Sequence, residues 1–85
     1  MTITSDELAG EIVELINEEL TLDPSVVVEA DTDLLETETV DSLGVVEIVA
    51  WLEERLETKV APADVTFENF GTVRRMADFG VSLLA

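Results

Sequence analysis

The chain has no cysteine and no histidine, and these two absences exclude more chemistry than any single residue present suggests. Without them there is no Ser-His-Asp or Cys-His nucleophile, no zinc site built on Cys and His, and no disulfide to staple an 85-residue domain. Basic residues are nearly as scarce. Four Lys and Arg stand against twenty Asp and Glu, a formal charge of −16, and no base precedes Arg55. Such a field repels nucleic acid and anionic membrane surfaces and draws basic protein partners, more weakly as salt rises. Its self-repulsion opposes folding, so salt or divalent cations are expected to stabilise the protein. Aromatic residues make up 5% of the chain against 47% hydrophobic, so the core must be Leu, Ile, Val and Ala, which suits packed helices. No run approaches the ~18 apolar residues of a membrane span, and Met1-Thr2-Ile3-Thr4-Ser5 has no basic segment leading into an apolar one. The expectation is one ordered, cytoplasmic, monomeric domain over residues 1–85, with neither membrane nor nucleic acid as a partner.

Helical periodicity organises most of what is there. Thr4-Ser5-Asp6-Glu7 reads as a capping box, with Ile3 and Leu8 as its hydrophobic staple, so a helix should start near Ser5. Leu8, Ile12, Leu15, Ile16 and Leu20 recur on one face, and Leu22-Asp23-Pro24 should end the helix. From Thr21 to Asp41 no period holds. Val26-Val27-Val28 resembles a short strand but leads into an acidic, threonine-rich stretch, so the segment reads as a long loop pinned by Leu34, Leu35 and Val40. Periodicity returns from Ser42 to about Glu57, with Val45, Ile48, Val49, Leu52 and Leu56 on a core face. Trp51 should project between faces, partly buried against the loop or the last helix. After a connector containing Pro62, Thr66–Phe70 suits a single short helical turn closed by Gly71. Thr72 can cap a last helix carrying Val73, Met76, Ala77 and Phe79, with Gly80 as its stop and 81–85 as a tail.

Ser42 is the candidate functional residue, since it stands where the loop turns into the second helix. Asp-Ser before an apolar helix is by itself a common capping signal. The surroundings add to it: Ser42, Leu43, Val46 and Ala50 lie among Glu47, Glu53, Glu54 and Glu57, opposite the core face. An apolar patch ringed by carboxylates reads either as a docking surface or as cover for a neighbouring helix end or the long loop. A phosphodiester on Ser42 would sit in the positive field of a helix N-terminus, worth roughly 0.3–1 kcal/mol.

Asp33-Leu34-Leu35, Asp41-Ser42-Leu43 with Val46-Glu47-Ile48, the acidic pair Glu53-Glu54 and Phe70-Gly71-Thr72-Val73 together resemble the acyl carrier protein family, including peptidyl and aminoacyl carriers. The resemblance spans nearly the whole chain. It implies an all-α, four-helix acyl-carrier-like bundle with a long first loop and a short third helix. It implies also that Ser42 receives a 4′-phosphopantetheine arm from coenzyme A in a magnesium-dependent transferase reaction, and that the arm's thiol carries acyl or aminoacyl groups as thioesters. By the same resemblance Asp41 helps the phosphopantetheinyl transferase position its metal. Leu43, Val46, Glu47, Ala50, Glu53 and Glu54 would then be read by partners with basic patches: that transferase, an acyl- or aminoacyl-loading ligase, and downstream transferases or synthases. Gly44 stands where carriers of fatty-acid synthesis often have an acid, and Glu38 near where many relatives have glycine. The pattern is closer to free-standing carriers that serve dedicated ligases.

Two other classes were weighed. A calcium loop starting at Asp31 fails on spacing, with Glu36 at the glycine position and Ser42 in place of the bidentate Glu. An unmodified acidic helical adaptor for a basic partner would use the same acidic face. No catalytic residue and no resident metal site is expected, because no carboxylate has a positioned partner base or a Gly-rich phosphate cradle.

Overall fold

Thr4 opens the first helix as the capping pattern requires. Its hydroxyl oxygen accepts the Glu7 N–H at 3.2 Å and donates back to Glu7 Oε1 at 3.1 Å. The computed structural model describes residues 3–21, 25, 27–34 and 40–84, with Ser42 described by its backbone alone. Four α-helices make up the fold: α1 (Ser5–Leu15), α2 (Ser42–Leu56), α3 (Phe67–Phe70) and α4 (Val73–Ser82). A π-helical turn at Ile16–Leu20 extends α1, and a 3-10 turn at Pro62–Asp64 precedes α3. This is the all-α bundle with a long first loop and a short third helix that the sequence implies. Among the described residues no helix is long and apolar enough to cross a membrane.

Leu8, Ile12 and Ile16 are fully buried, while Leu15 and Leu20 lie half-buried at the edge of the core. The α-helix does not run on to the expected stop. It widens after Leu15, and the Thr21 N–H reaches the Ile16 carbonyl at 2.8 Å, an i→i+5 bond. The proposed terminator Leu22-Asp23-Pro24 lies outside the described residues, as do Val26, Leu35, Glu38 and Ala85.

The long loop is fastened by polar contacts that hydrophobic pattern does not reveal. The Asn17 side chain brackets Val28, accepting its N–H at 2.9 Å and donating to its carbonyl at 3.1 Å, and so holds the Val28 side chain in the core. This pairing with a side chain, and not a strand ladder, satisfies the Val28 backbone. Further on, the Arg74 N–H donates to the Ala30 carbonyl at 2.9 Å and the Leu34 N–H to the Gly71 carbonyl at 3.0 Å. Leu34 and Val40 are buried, as expected of loop anchors.

On α2 the anticipated core face holds, with Ile48, Leu52 and Leu56 buried and Val45 and Val49 half-buried against them. The helix ends in a Schellman-type cap. Glu57 adopts the left-handed conformation at φ 52°, and the Thr58 N–H returns to the Glu53 carbonyl at 3.1 Å. Thr66 caps α3 and Thr72 caps α4, accepting the Asn69 and Arg75 N–H groups at 3.3 and 3.1 Å.

Gly80 corrects the expected stop of the last helix. Helix α4 continues to Ser82, and Gly80 is buried where α4 meets α1 and α2. A Cβ there would stand 2.9 Å from Leu8 Cδ2 and 3.2 Å from Leu56 Cδ1, so the missing side chain lets the three helices converge. Three of the four bases are also tied into the bundle. Arg55 of α2 forms a bidentate pair with Glu11 of α1 at 2.8 and 3.1 Å. Arg74 holds Asp31 of the loop at 2.8 Å with Asp6 nearby at 3.9 Å, and Arg75 lies 5.5 Å from the centre of the Phe67 ring.

Candidate functional site

Asp41, and not Ser42, caps α2. Its backbone is extended and its Oδ1 accepts the Gly44 N–H at 2.9 Å, while its carbonyl accepts the Val45 N–H at 3.0 Å. Ser42 is therefore the first helical residue, and the capping signal of the Asp-Ser pair is met by Asp41. The cap needs only one carboxylate oxygen. Among the described residues nothing bonds Oδ2 of the exposed Asp41.

The turn beneath Ser42 is held from below by Val40, which is 3% exposed. Gly44 lies directly over it, buried, and a Cβ on Gly44 would collide with Val40 Cγ1. Gly44 thus has a packing reason: it lets the first turn settle onto Val40. The expected helix-propensity penalty for Gly is small in a first turn and is set against this close fit.

Beside the turn, the outer face of α2 is open. Leu43 is 73% and Val46 63% exposed, and Glu47, Ala50, Glu54 and Glu57 are exposed around them. The structure brings together Asp41, Leu43, Val46, Glu47, Ala50 and Glu54 on one surface, leaving the apolar patch uncovered by either the described loop residues or a neighbouring helix. Glu53 differs from this group. It is half-buried, and its Oε2 accepts the Val60 N–H at 2.9 Å, so its carboxylate fastens the chain leaving α2. Helical spacing placed Glu53 at the border of the patch, and the need to satisfy the Val60 N–H turned it inward. Trp51 is half-buried against the core, and it lines one groove with Leu15 and Leu20 at the end of the first helix.

A second, smaller apolar cleft opens on the side of α2 facing α3, lined by Val45, Val65, Phe67 and Phe70. Asp31, where a calcium loop would have begun, is bonded to Arg74 at 2.8 Å. Hydrogen bonding and charge from Glu11 and Asp31 raise the Arg55 and Arg74 guanidinium groups above their ordinary range, so both remain charged wherever the fold persists.

The phosphopantetheine attachment site family matches residues 10–79, and the chain belongs to it. Members are defined by a covalently attached 4′-phosphopantetheine, so this is a carrier domain built around that group. No curated protein and no solved structure matches the chain. The first turn of α2 suits such a group. It combines a residue at N1, a helix N-terminus whose early N–H groups lack helical acceptors, and uncovered surface at Leu43 and Val46.

Proposed function

We propose that Ser42 is the attachment residue, and that the protein is a carrier of acyl or aminoacyl groups serving dedicated partner enzymes. The observation that carries this reading is the position of Ser42 at N1 of α2, on a turn already capped by Asp41 and seated on Val40, next to bare Leu43 and Val46. When bound, the arm supplies a thiol, the group this cysteine-free chain lacks, on which cargo is held as a thioester. The chain's own residues do the rest. Asp41 holds the turn with Oδ1 and presents Oδ2 toward the transferase and its magnesium. Gly44 and Val40 keep the turn in place, and Leu43, Val46, Glu47, Ala50 and Glu54 form the surface partners dock on.

The two kinds of docking residue contribute differently. Burying Leu43 against a partner is worth about 1.5–3 kcal/mol. An exposed ion pair made by Glu47 or Glu54 is worth roughly 0–1 kcal/mol. The apolar pair therefore supplies affinity, and the acids supply orientation and encounter rate.

The test is the intact mass of the protein before and after incubation with coenzyme A, magnesium and a broad-specificity phosphopantetheinyl transferase, beside Ser42→Ala. One arm on the wild type and none on the variant is the expected result. An arm on both would move the site to another hydroxyl. None on the folded wild type, with several transferases, would favour the unmodified acidic adaptor.

A further inference from the structure

The π-helical turn has a visible effect on the surface. At ~100° per residue, Leu15 and Leu20 would stand about 140° apart on a regular α-helix, on different faces. The wider i→i+5 winding at Ile16–Leu20 narrows that angle, and both side chains line one groove together with Trp51 of α2. Ala50 completes its floor. The rim is acidic, formed by the exposed Glu19 of the turn and by Glu47 and Glu54 of α2. The groove holds about 380 Å³, room for a large side chain.

We infer that this groove is a second docking seat, and that its occupant is a segment of a partner protein presenting one large apolar side chain flanked by Arg or Lys. Two observations select that occupant. The first is charge: three carboxylates border the groove, and none of the four bases lines it. The second is continuity, because Glu47 and Ala50 belong both to the groove and to the face beside Ser42. Glu54 lies twelve residues past Ser42, about 18 Å along the helix, so a partner engaging both ends is held at two separated points. The inference deepens the carrier reading by extending the recognised surface from α2 onto the end of the first helix.

The test uses the intact ¹⁵N-labelled protein and a synthetic helical peptide with one leucine flanked by arginines a turn away on either side, titrated at physiological salt. Trp51 is the only tryptophan, so its emission reports on the groove. Amide shifts concentrated at 15–20 and 47–54, with a change in Trp51 emission, are expected. Glu19→Lys, an exposed change that spares the core, should weaken binding about fivefold to tenfold, whereas Glu68→Lys on α3 should change it less than about twofold. Replacing the peptide leucine with serine should abolish the Trp51 response. Shifts scattered over the acidic surface, or equal losses from Glu19→Lys and Glu68→Lys, would overturn the inference. The mass experiment keeps the two readings apart. An arm on Ser42 with an indifferent groove removes only this inference, and a filled groove on a chain that never takes the arm removes only the carrier reading.

Discussion

Helix α4 and the outer half of α2 treat charge in opposite ways. On α4, Arg74 uses both its backbone and its guanidinium to hold the loop at Ala30 and Asp31, and Arg75 lies against Phe67. On α2, the Glu47 and Glu54 carboxylates have no protein partner among the described residues, and the apolar Leu43 and Val46 that precede them are bare. The same contrast holds for close packing. Gly80 brings α4 against two helices, whereas no described residue covers the outward side of α2 at Leu43 and Val46. Among the described residues the outer face of α2 is where exposed Leu43 and Val46 and the carboxylates of Glu47 and Glu54 lie together, beside Ser42.

Changes on the closed side should cost stability, and changes on the open side should cost partners. Gly80→Leu should have the largest effect, since it forces a side chain against Leu8 and Leu56. Overpacking of this kind costs about 1–3 kcal/mol, enough to threaten so small a domain, and a denaturant midpoint equal to wild type would show that α4 does not approach as closely as described. Asn17→Ala strands the Val28 backbone beside the core. A loss of about 1–3 kcal/mol is expected, with faster hydrogen exchange along residues 27–34, and unchanged exchange would mean that the loop is held without Asn17.

A pair of variants separates neighbours at the junction of the two regions. Asp41→Ala removes the cap and should cost about 0.5–2 kcal/mol. Ser42→Ala leaves that cap in place and should stay within about 0.5 kcal/mol while losing all modification. Equal destabilisation by both would show that Ser42 shares the capping role. Smallest in stability is Glu47→Lys, expected to change the melting temperature negligibly yet slow modification and loading, most visibly at low salt. Wild-type kinetics at low salt would remove Glu47 from the docking surface.

Sequence reading reached the elements whose signals are local. The Thr4 and Thr72 caps, the core face of α2 and the exposed patch of Leu43 and Val46 all follow from side-chain chemistry and helical spacing. It did not reach features that depend on where distant segments meet. Asn17 gave only the weak sign of a poor helix former near a helix end. Gly80 reads as a stop because glycine often ends a helix, although the apolar Val81, Leu83 and Leu84 that follow it fit continuation. Glu53 and Trp51 were placed by angle alone, and angle cannot register an unsatisfied Val60 N–H or a π-turn that swings Leu20 round to meet the indole.

The seating of Gly44 on Val40 also bears on how cargo is delivered. A tether is useful to the extent that one end is still, because the volume its free end explores then depends on its length and not on the mobility of its base. With the first turn of α2 packed on Val40 and capped by Asp41, an arm on Ser42, where we propose it is attached, would move on a leash whose post is seated in the fold. To a partner seated on α2, such cargo is at a local concentration of millimolar order, whatever its scarcity in the surrounding solution.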